Sequence, residues 1–450
     1  MATTYLEMTQ GTPTSTRKCT YSGWLKRSEN SPSAAHSFFS IGLASDAHYT
    51  DFRFGTDDTI RINIESAEGY TILTNRLFRD PAAWYHVVVA IDTEQSVSTD
   101  RVKLYINGVQ ETDLDENLQP AEDYDIPTLV SGDKFSIGRR IRSGSLYFNG
   151  EMSWVQFVDG LQLAPTDFGS FDSTSGIWKI KPTPYATPGN NGFCLKMEDR
   201  TNLDLDSSSN AHTFTTSGTL TATYDNPSNN FATINPLDNY LTQATFSNGN
   251  NTVATVSGKY APNLSTFGMS AGKWYWEVKA VSRAGANDYM IGISSKRTTD
   301  ATYEIGQYAN DYAYYALAGD LWYNNGGVSY GNSYDTGDIV GVALDLDNNN
   351  LYFSKNGTFQ DSGDPTSGAT GTGAISIGAP ASTPLGAYFS GQTYWAAAVG
   401  TLSYNFGNGY FGTTAVSSAN ADDAGIGSFE YDVPTGYYAL CTKNIKAYGG

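Results

Sequence analysis

One segment of the sequence, Tyr303–Tyr334, combines many aromatic side chains with Asn, Asp and Gly. Aromatic rings can stack on the apolar faces of sugar rings, and Asn and Asp can hydrogen-bond sugar hydroxyls. Tyr with Ser, Gly and Asn is also the composition of recognition loops that bind proteins. Five residues of this segment are therefore candidate contacts for a glycan or a protein partner: Tyr308, Tyr312, Tyr315, Trp322 and Tyr323.

The same segment also fits a plain hairpin. Residue types alternate in Tyr312–Asn325 as they do in paired strands with half of the aromatic side chains buried. Under this alternative the rings serve the core and packing between copies rather than a ligand. The substitution Trp322→Ala separates the two interpretations, because the first predicts lost binding and the second predicts lost stability.

Carboxylates arranged for hydrolysis of a glycosidic bond are scarce. Retaining glycosidases need two carboxyl groups about 5–5.5 Å apart, and on a strand such groups stand at i and i+2 or i+4, which share a face. The nearest candidates are Glu430 with Asp432, and Glu122 with Asp123 and Asp125, all near proline in loop-like sequence. Neither group has a further carboxylate at the spacing of a glucanase strand. We therefore expect a protein that is not an enzyme.

Metal-binding and histidine motifs are equally sparse. None of the four His belongs to an HExxH sequence, and His86 lies in a predicted strand, where a structural role is expected. Asp46, Asp51, Asp57 and Asp58 stand in loop-like sequence and could offer oxygens to Ca²⁺, which takes several such ligands from flexible loops. The sequence does not show these carboxylates converging. We predict no metal and no other cofactor, with Ca²⁺ as the open alternative.

Short strands separated by turn residues make up most of the chain. No long segment shows the apolar period of a helix. Asn107-Gly108 and Asn356-Gly357 tolerate the positive φ angles of a type I′ turn, so they predict two hairpins. Each follows a strand that holds an Asp, in Val87–Thr93 and Gly341–Asp347. This repetition indicates two domains of related architecture.

Composition and charge exclude several classes of protein. The 450 residues include 27 Lys and Arg against 46 Asp and Glu, and the net charge of -19 disfavours binding to nucleic acid. A hydrophobic content of 40% is enough for a sizeable core, and no stretch approaches the length of a membrane span. The Pro- and Asn-rich segment Asp225–Leu237 is the best boundary, which gives domains at residues 1–235 and 236–450.

In the first half, WYHVVVAIDT (Trp84–Thr93) is followed by KLYINGV (Lys103–Val109), FSIGRR (Phe135–Arg140) and FNGEMSWVQFVDGLQL (Phe148–Leu163). This order of strands resembles a laminin-G-like domain of the concanavalin-A-type lectin and glucanase family. The resemblance covers roughly residues 5–165.

In the second half, GKWYWEV (Gly272–Val278), YMIGIS (Tyr289–Ser294) and GDIVGVALDLDNNNLYFSKNG (Gly337–Gly357) resemble the SPRY family over about residues 240–412. Both families are two-sheet sandwiches. We therefore predict an all-β fold of two tandem concanavalin-A-like antiparallel β-sandwiches of the jelly-roll type.

The tandem order of these domains and the amino-acid sequence of the linker resemble those of virion proteins of tailed phages. The N-terminal sequence Met1–Gln10 shows no secretory signal, which agrees with release as part of a virus particle. The resemblance implies a non-enzymatic virion structural protein, a tail-fibre or adhesin-type component that recognises host-surface glycans. The alternative is a capsid or tail decoration protein whose sandwiches mainly mediate packing between proteins.

The partners that this interpretation implies are other virion proteins, a host-surface glycan or protein, and further copies of the chain. Nucleic acid and membrane insertion are not expected. The sequence does not distinguish a tail position from a capsid position.

Overall fold

The computed structural model describes residues 3–45, 47–65, 69–239, 243–256, 262–283, 289–297, 300, 302–394 and 400–449. The chain divides into two compact units: Met1–Ala222 with Asn226–Ser228, and Thr223–Asp225 with Asn229–Gly450. Apart from one parallel pairing, of Trp274–Tyr275 with Tyr438–Ala439, the described strands pair antiparallel, and the predicted all-β fold of two tandem sandwiches is confirmed.

The strands of the first unit are short and follow one another closely. Their bounds are β1 Tyr5–Thr9, β2 Lys18–Arg27, β3 His36–Gly42, β4 Tyr49–Phe54, β5 Ile60–Glu65, β6 Tyr70–Thr74, β7 Trp84–Asp92, β8 Val102–Ile106, β9 Val109–Gln110, β10 Leu114–Asn117, β11 Lys134–Ile137, β12 Gly150–Asp159, β13 Gly169–Phe171, β14 Trp178–Ile180, β15 Phe193–Leu195 and β16 Thr215–Ser217.

The second unit continues the numbering. Its bounds are β17 Thr245–Ser247, β18 Thr252–Ala254, β19 Asn263–Met269, β20 Lys273–Arg283, β21 Tyr289–Ser294, β22 Asp311–Tyr315, β23 Asp320–Tyr323, β24 Gly326–Ser329, β25 Ile339–Asp345, β26 Asn350–Lys355, β27 Thr358–Phe359, β28 Ile375–Ser376, β29 Tyr388–Tyr394, β30 Gly400–Asn405, β31 Tyr410–Phe411, β32 Thr414–Ala415, β33 Tyr438–Ala439 and the helix α1 Thr442–Tyr448.

Helices contribute little to either unit. Short 3₁₀ helices occupy Ser98–Asp100, Arg142–Gly144, Pro165–Asp167, Pro365–Thr370 and Pro380–Ser382. Among the described residues, the structure contains no helix that is long and apolar enough to cross a membrane.

The first unit packs two sheets face to face. Its described strands form an eight-stranded sheet in the order β10-β6-β5-β4-β3-β11-β1-β16 and a six-stranded sheet in the order β15-β12-β2-β7-β8-β9. Phe39 and Phe135 of the larger sheet meet Phe157 of the smaller one, with ring centroids 5.8 and 4.6 Å apart. The interlocked aromatic side chains make this interface a dry core.

The second unit repeats this architecture. Its described strands form a nine-stranded sheet along β17-β18-β30-β20-β25-β26-β27, to which β28 and β33 add, and a six-stranded sheet in the order β19-β29-β21-β22-β23-β24. Tyr314 of the six-stranded sheet stacks on Phe353 of the nine-stranded sheet at a centroid distance of 5.5 Å. Trp274 and Trp276 fill the same core and are fully buried.

The two predicted Asn-Gly hairpins are confirmed and are built alike. Asn107 and Asn356 both have φ 49°, and the glycine after each has φ 80°, as a type I′ turn requires. The side-chain oxygen of Asn107 accepts the backbone N–H of His86 at 2.8 Å, and that of Asn356 accepts the N–H of Ile339 at 2.9 Å. Each asparagine therefore ties its turn to the first residues of the neighbouring strand.

A charged pair recurs at the other end of these strands. Lys18 of β2 lies opposite Asp92 of β7, and Lys273 of β20 lies opposite Asp345 of β25. Their Nζ and carboxylate atoms are 3.8 and 2.9 Å apart. The repetition in the sequence thus corresponds to one four-strand pattern, β2-β7-β8-β9 in the first unit and β20-β25-β26-β27 in the second.

Part of the segment that the sequence indicates as a linker is packed in the second unit. Phe231, Ala232 and Ile234 are buried in its cores. The backbone N–H of Thr266 donates to Thr233 at 2.7 Å, so this segment runs along the edge strand β19. Its few apolar residues are therefore used for packing although the surrounding composition is that of a loop.

The hairpin asparagines should contribute to stability in two separable ways. Asn107→Gly keeps the positive φ but loses the hydrogen bond to His86, and we expect it to cost about 1 kcal/mol of unfolding free energy. Asn107→Ala loses the same hydrogen bond and, unlike glycine, keeps a Cβ in the left-handed region without the amide that lets asparagine adopt it, so it should cost roughly 1 kcal/mol more. Chemical denaturation followed by tryptophan fluorescence measures both, and equal effects of the two substitutions would contradict the backbone argument.

Candidate functional site

The candidate aromatic residues lie on two paired strands and the loop before them. Tyr312 of β22 stands opposite Tyr323 of β23, and Ala313 stands opposite Trp322. Because neighbouring side chains on a strand point to opposite faces, the pairing divides the rings between the inner and outer faces of the six-stranded sheet. Tyr308 lies in the loop that precedes β22.

Two of the five candidates are buried. Tyr312 is 6% exposed, faces the core between the sheets and accepts the backbone N–H of Gly378 at 3.2 Å through its hydroxyl. Tyr315 is 9% exposed and packs with Leu264 and Met290 on the outer face of the same sheet. The structure therefore buries both rings. This agrees with the hairpin alternative, in which half of the aromatic side chains are buried.

The other three candidates are at least partly exposed, with Tyr323 on the inner side of the sheet and Trp322 on the outer side. Tyr323 is 41% exposed, and its inward side stacks against Tyr312 at a centroid distance of 6.2 Å and an interplanar angle of 16°. Trp322 is half-buried and meets the edge of Tyr315. Tyr308 is half-buried, and the ammonium group of Lys296 lies 3.0 Å from its ring centroid. These rings form the exposed part of the candidate site.

Backbone hydrogen bonds hold the loop of Tyr308 against the turn that follows β23. The N–H of Asn324 donates to the carbonyl of Tyr308 at 3.3 Å, and the N–H of Asn325 donates to Gly306 at 2.9 Å. Gly306 has φ +100°, and a Cβ there would lie 2.8 Å from the carbonyl oxygen of Trp322, so only glycine permits this approach.

We name this surface the aromatic rim. It comprises Lys296, Tyr308, Trp322, Tyr323, Asn324 and Asn325.

A buried polar cluster anchors the loop from below. The hydroxyl of Tyr303 donates to one carboxylate oxygen of Asp311 at 2.5 Å, and Ser294 donates to the other at 2.7 Å. Burial raises the pKa of Asp311, while the hydrogen bonds from Tyr303 and Ser294 act in the opposite direction. Sequence reasoning counted the Asp residues of this segment as possible sugar contacts, but Asp311 is inaccessible and supports the loop instead.

The buried Glu277 was missed from the sequence and is the described carboxylate with the most unusual environment. Its oxygens accept the backbone N–H groups of Glu430 and Tyr431, each at 2.9 Å, and contacts from Tyr275 and Asn405, each at 3.3 Å. Burial raises the pKa of Glu277 to about 7, against the opposing effect of these donors. A perturbed acid can mark a catalytic site, but this one is enclosed by protein and fastens the chain segment that covers β20.

Three of the carboxylates considered for glycoside hydrolysis, Glu430, Asp123 and Asp125, have structural partners. Glu430 accepts the backbone N–H of Ser417 at 2.6 Å. Asp123 and Asp125 both pair with Arg17, at 2.9 and 3.0 Å. These contacts bind loops together.

The aspartates considered for Ca²⁺ are also engaged, and Asp46 lies outside the described residues. Asp51 accepts the hydroxyl of Ser37 at 2.5 Å, and Asp57 accepts the hydroxyl of Thr59 at 2.6 Å. Asp58 is fully buried and pairs with Arg27 at 3.0 Å. Within the described part of the chain, no group of three or more His, Cys, Asp or Glu residues is placed to hold a metal ion.

His86 is a buried structural residue. Its ring stacks between Trp24 and Trp178 at centroid distances of 4.9 and 5.9 Å. The indole N–H of Trp178 donates to Nδ1 at 2.9 Å, so the proton resides on Nε2, which lies 2.9 Å from the hydroxyl of Ser22. Burial lowers the pKa of His86 to about 3, and the ring is neutral near pH 7.

Two Gly-x-Ser-x-Gly sequences occur, one at residues 327–331, in and directly after strand β24, and one at residues 268–272. In hydrolases this pattern places a nucleophilic serine on a sharp turn from a strand into a helix. The sequence at residues 268–272 joins β19 to β20, two strands, and the N–H of Gly272 donates to Asp347 at 3.1 Å. The sequence is therefore a strand-to-strand turn and not a nucleophile elbow.

The chain is thus built from two β-sandwich domains, and each matches a different family model. Residues 1–163 match the family model of the concanavalin A-like lectin/glucanases superfamily, and residues 273–376 match that of the SPRY domain. The chain thus contains one domain of each kind, as the sequence resemblances predicted.

Individual relatives are similar to parts of the chain. The Ran-binding proteins 9/10 homolog of Drosophila melanogaster is 32% identical over 90 residues, which is 20% of this chain and 9% of that protein. The chain therefore matches less than a tenth of that relative's length. The SPRY domain of human HERC1 is 17% identical with a TM-score of 0.28, and the match covers 36% of this chain and 91% of that domain. The SAP-like pentraxin of Limulus polyphemus is 18% identical with a TM-score of 0.26, covering 36% and 72%.

The environment of Glu277 predicts a pH dependence of stability. The folded unit keeps the proton on Glu277 up to about pH 7, whereas the unfolded chain releases it near the ordinary value of 4.5. The stability that this proton contributes is therefore complete below pH 4.5 and is lost as pH rises towards 7. Each unit of pKa shift corresponds to about 1.4 kcal/mol.

Urea denaturation of the wild type and Glu277→Gln across this range provides the test. The wild type should lose stability relative to the variant as pH rises, because glutamine does not titrate. Asp432→Asn removes an exposed carboxylate of the same covering segment and is the matched control. Because it keeps Glu277, its stability should fall with pH in parallel with that of the wild type. A constant difference between the wild type and Glu277→Gln would show that Glu277 does not change its proton affinity on folding.

Proposed function

We propose that this protein is a non-enzymatic, glycan-recognising structural component of a virion. In this role the aromatic rim of the second sandwich meets saccharides on a host surface. The observation that carries the proposal is the exposed ring of Tyr323, held flat against Tyr312 beside the amides of Asn324 and Asn325. The family match of the first domain to lectins and glucanases supports a carbohydrate context.

The geometry of the rim suits a sugar ligand. A ring that is stacked on one side and open on the other is fixed in orientation before a ligand arrives, so little conformational entropy is lost on binding. Asn324 and Asn325 are exposed and provide amide donors and acceptors next to that ring. Such a shallow surface binds weakly at each copy, and display of many copies on a particle would raise the overall affinity.

The non-enzymatic part of the proposal is supported by the placement of the carboxylates. Glu277 is enclosed, Glu430 is bonded to Ser417, and Asp123 and Asp125 are bonded to Arg17. The virion location follows from the resemblance of the tandem arrangement and remains a proposal. An assay for reducing sugars released from host polysaccharide tests the first point, and localisation of the chain in images of intact particles tests the second.

A second candidate, decoration of a capsid or tail through packing between proteins, has one observation in its favour. Residues 321–334 contain no charged side chain, although the chain as a whole carries a net charge of -19. The apolar side chains of Leu317 and Val328 are exposed in the same region. Interfaces between proteins are depleted in charge at their centres, so this surface also suits a protein partner.

The glycan proposal predicts opposite outcomes for two neighbouring aromatic residues. Tyr323→Ala removes the exposed ring and should abolish binding on an array of host-surface glycans with little change in the melting temperature. Trp322→Ala should lower the melting temperature, because its ring packs against the cluster around Tyr315. Binding is measured on the array, and stability by differential scanning calorimetry.

Tyr448→Ala is the matched control. Tyr448 is 40% exposed and lies on α1 of the same unit, so its loss should leave glycan binding unchanged. Retention of full binding by Tyr323→Ala would remove the aromatic rim from the proposal.

A further inference from the structure

The last strand of the six-stranded sheet in the second unit is an open edge. All four residues of β24 are exposed, and within the described part of the chain β24 pairs with β23 alone. A strand at the edge of a sheet presents alternate backbone N–H and C=O groups outward, where another strand can pair with them. The opposite edge of the same sheet, β19, is accompanied by residues 233–235, whose backbone bonds to it.

The edge at β24 lacks the features that usually prevent pairing. Charged side chains, proline and bulges protect natural edges, and β10 of the first unit carries Asp115 and Glu116 in this way. Residues 321–334 contain neither charge nor proline, and the register of β23 with β24 is regular. Gly326 and Gly327 offer no side chain to obstruct an approaching strand, and Val328 is 46% exposed.

We propose that β24 pairs antiparallel with β24 of a second copy of this chain, which joins two six-stranded sheets into one continuous sheet. The choice of a second copy rests on charge. Two copies with a net charge of -19 each repel one another, so a contact between them is favoured where both surfaces are neutral. A two-fold axis brings the same uncharged strand from both copies together, which makes the contact self-complementary.

This pairing has a consequence for the aromatic rim. A two-fold axis perpendicular to the sheet keeps both copies of Tyr323 on the same face. With strands about 4.8 Å apart, the order β23-β24-β24-β23 separates the two rings by roughly 14 Å across the sheet. The dimer would thus present two rims side by side, and this consequence rests on the proposed glycan function whereas the dimer itself does not.

The affinity of the dimer should be moderate. Four residues on each side, Val328 among them, with Tyr323 nearby, make a smaller contact than a standard interface between proteins. We expect dissociation in the micromolar range, so that the full chain passes from monomer to dimer as its concentration rises.

Sedimentation velocity of the full chain over a concentration series tests the proposal. Val328→Lys places like charges at the contact and should raise the dissociation constant at least about tenfold. Val109→Lys, at an exposed edge strand of the first unit, is the matched control and should leave the dissociation constant unchanged. Equal melting temperatures of the three proteins show that Val328→Lys is folded.

Hydrogen exchange locates the contact independently of any substitution. The amide protons of Gly326–Ser329 that point away from β23 should become protected only at concentrations where the dimer forms. A wild type that remains monomeric at about a hundredfold above micromolar concentration would overturn the proposal. A dimer that is unaffected by Val328→Lys would overturn it too. Because glycan binding by a monomer remains measurable on the array, failure of the dimer is distinguishable from failure of the glycan proposal.

Discussion

The antiparallel pairing of β22 with β23 decides the positions of four of the five aromatic rings at the candidate site. Tyr312 faces Tyr323 in this pairing, and both therefore stand on the inner side of the sheet, while Trp322 and Tyr315 stand on the outer side. The opposite sheet covers Tyr312 but does not reach as far as Tyr323, which leaves the second ring exposed. The register of this pair of strands thus places the buried ring of Tyr312 beside the exposed ring of Tyr323. A shift of the register by one residue would move each side chain to the other face of the sheet.

In each unit, the sheet that contains the Asn-Gly hairpin is covered on its outer face by an aromatic side chain from the later part of that unit. Trp178 lies on Gly108 of the first hairpin, and Tyr431 lies on Gly357 of the second, where a Cβ would approach the rings to 2.4 and 2.6 Å. Glycine is therefore required at each position for two reasons, the positive φ of the turn and the close approach of the ring. Buried polar groups complete the attachment, His86 for Trp178 and Glu277 for the backbone at Tyr431.

Local patterns in the sequence were sufficient for the hairpins and for the two families, because turn chemistry and strand alternation act between neighbouring residues. They were not sufficient for burial at the site. Tyr312 and Tyr323 are the same residue type on the same face, and only the extent of the opposite sheet separates them. Glu277 stands in the strand sequence WYWEVKA, where an acidic residue directly after three aromatic residues is a visible signal, but its donors at Glu430 and Tyr431 come from 153 and 154 residues away. Burial by a segment that is distant in the sequence cannot be predicted from a local pattern.

The distribution of charge connects recognition with assembly. Residues 321–334, which hold both the exposed ring of Tyr323 and the edge strand β24, carry no charged side chain and are bordered by Asp320 and Asp335. A neutral strip on an acidic protein is the place where a partner meets the least electrostatic repulsion. The overall affinity for a glycan rises when a second binding site lies close to the first. The edge strand β24, next to Tyr323, is where we propose that a second copy pairs. The absence of charge that favours pairing of β24 therefore also favours glycan binding at Tyr323, because the pairing brings two such rings together.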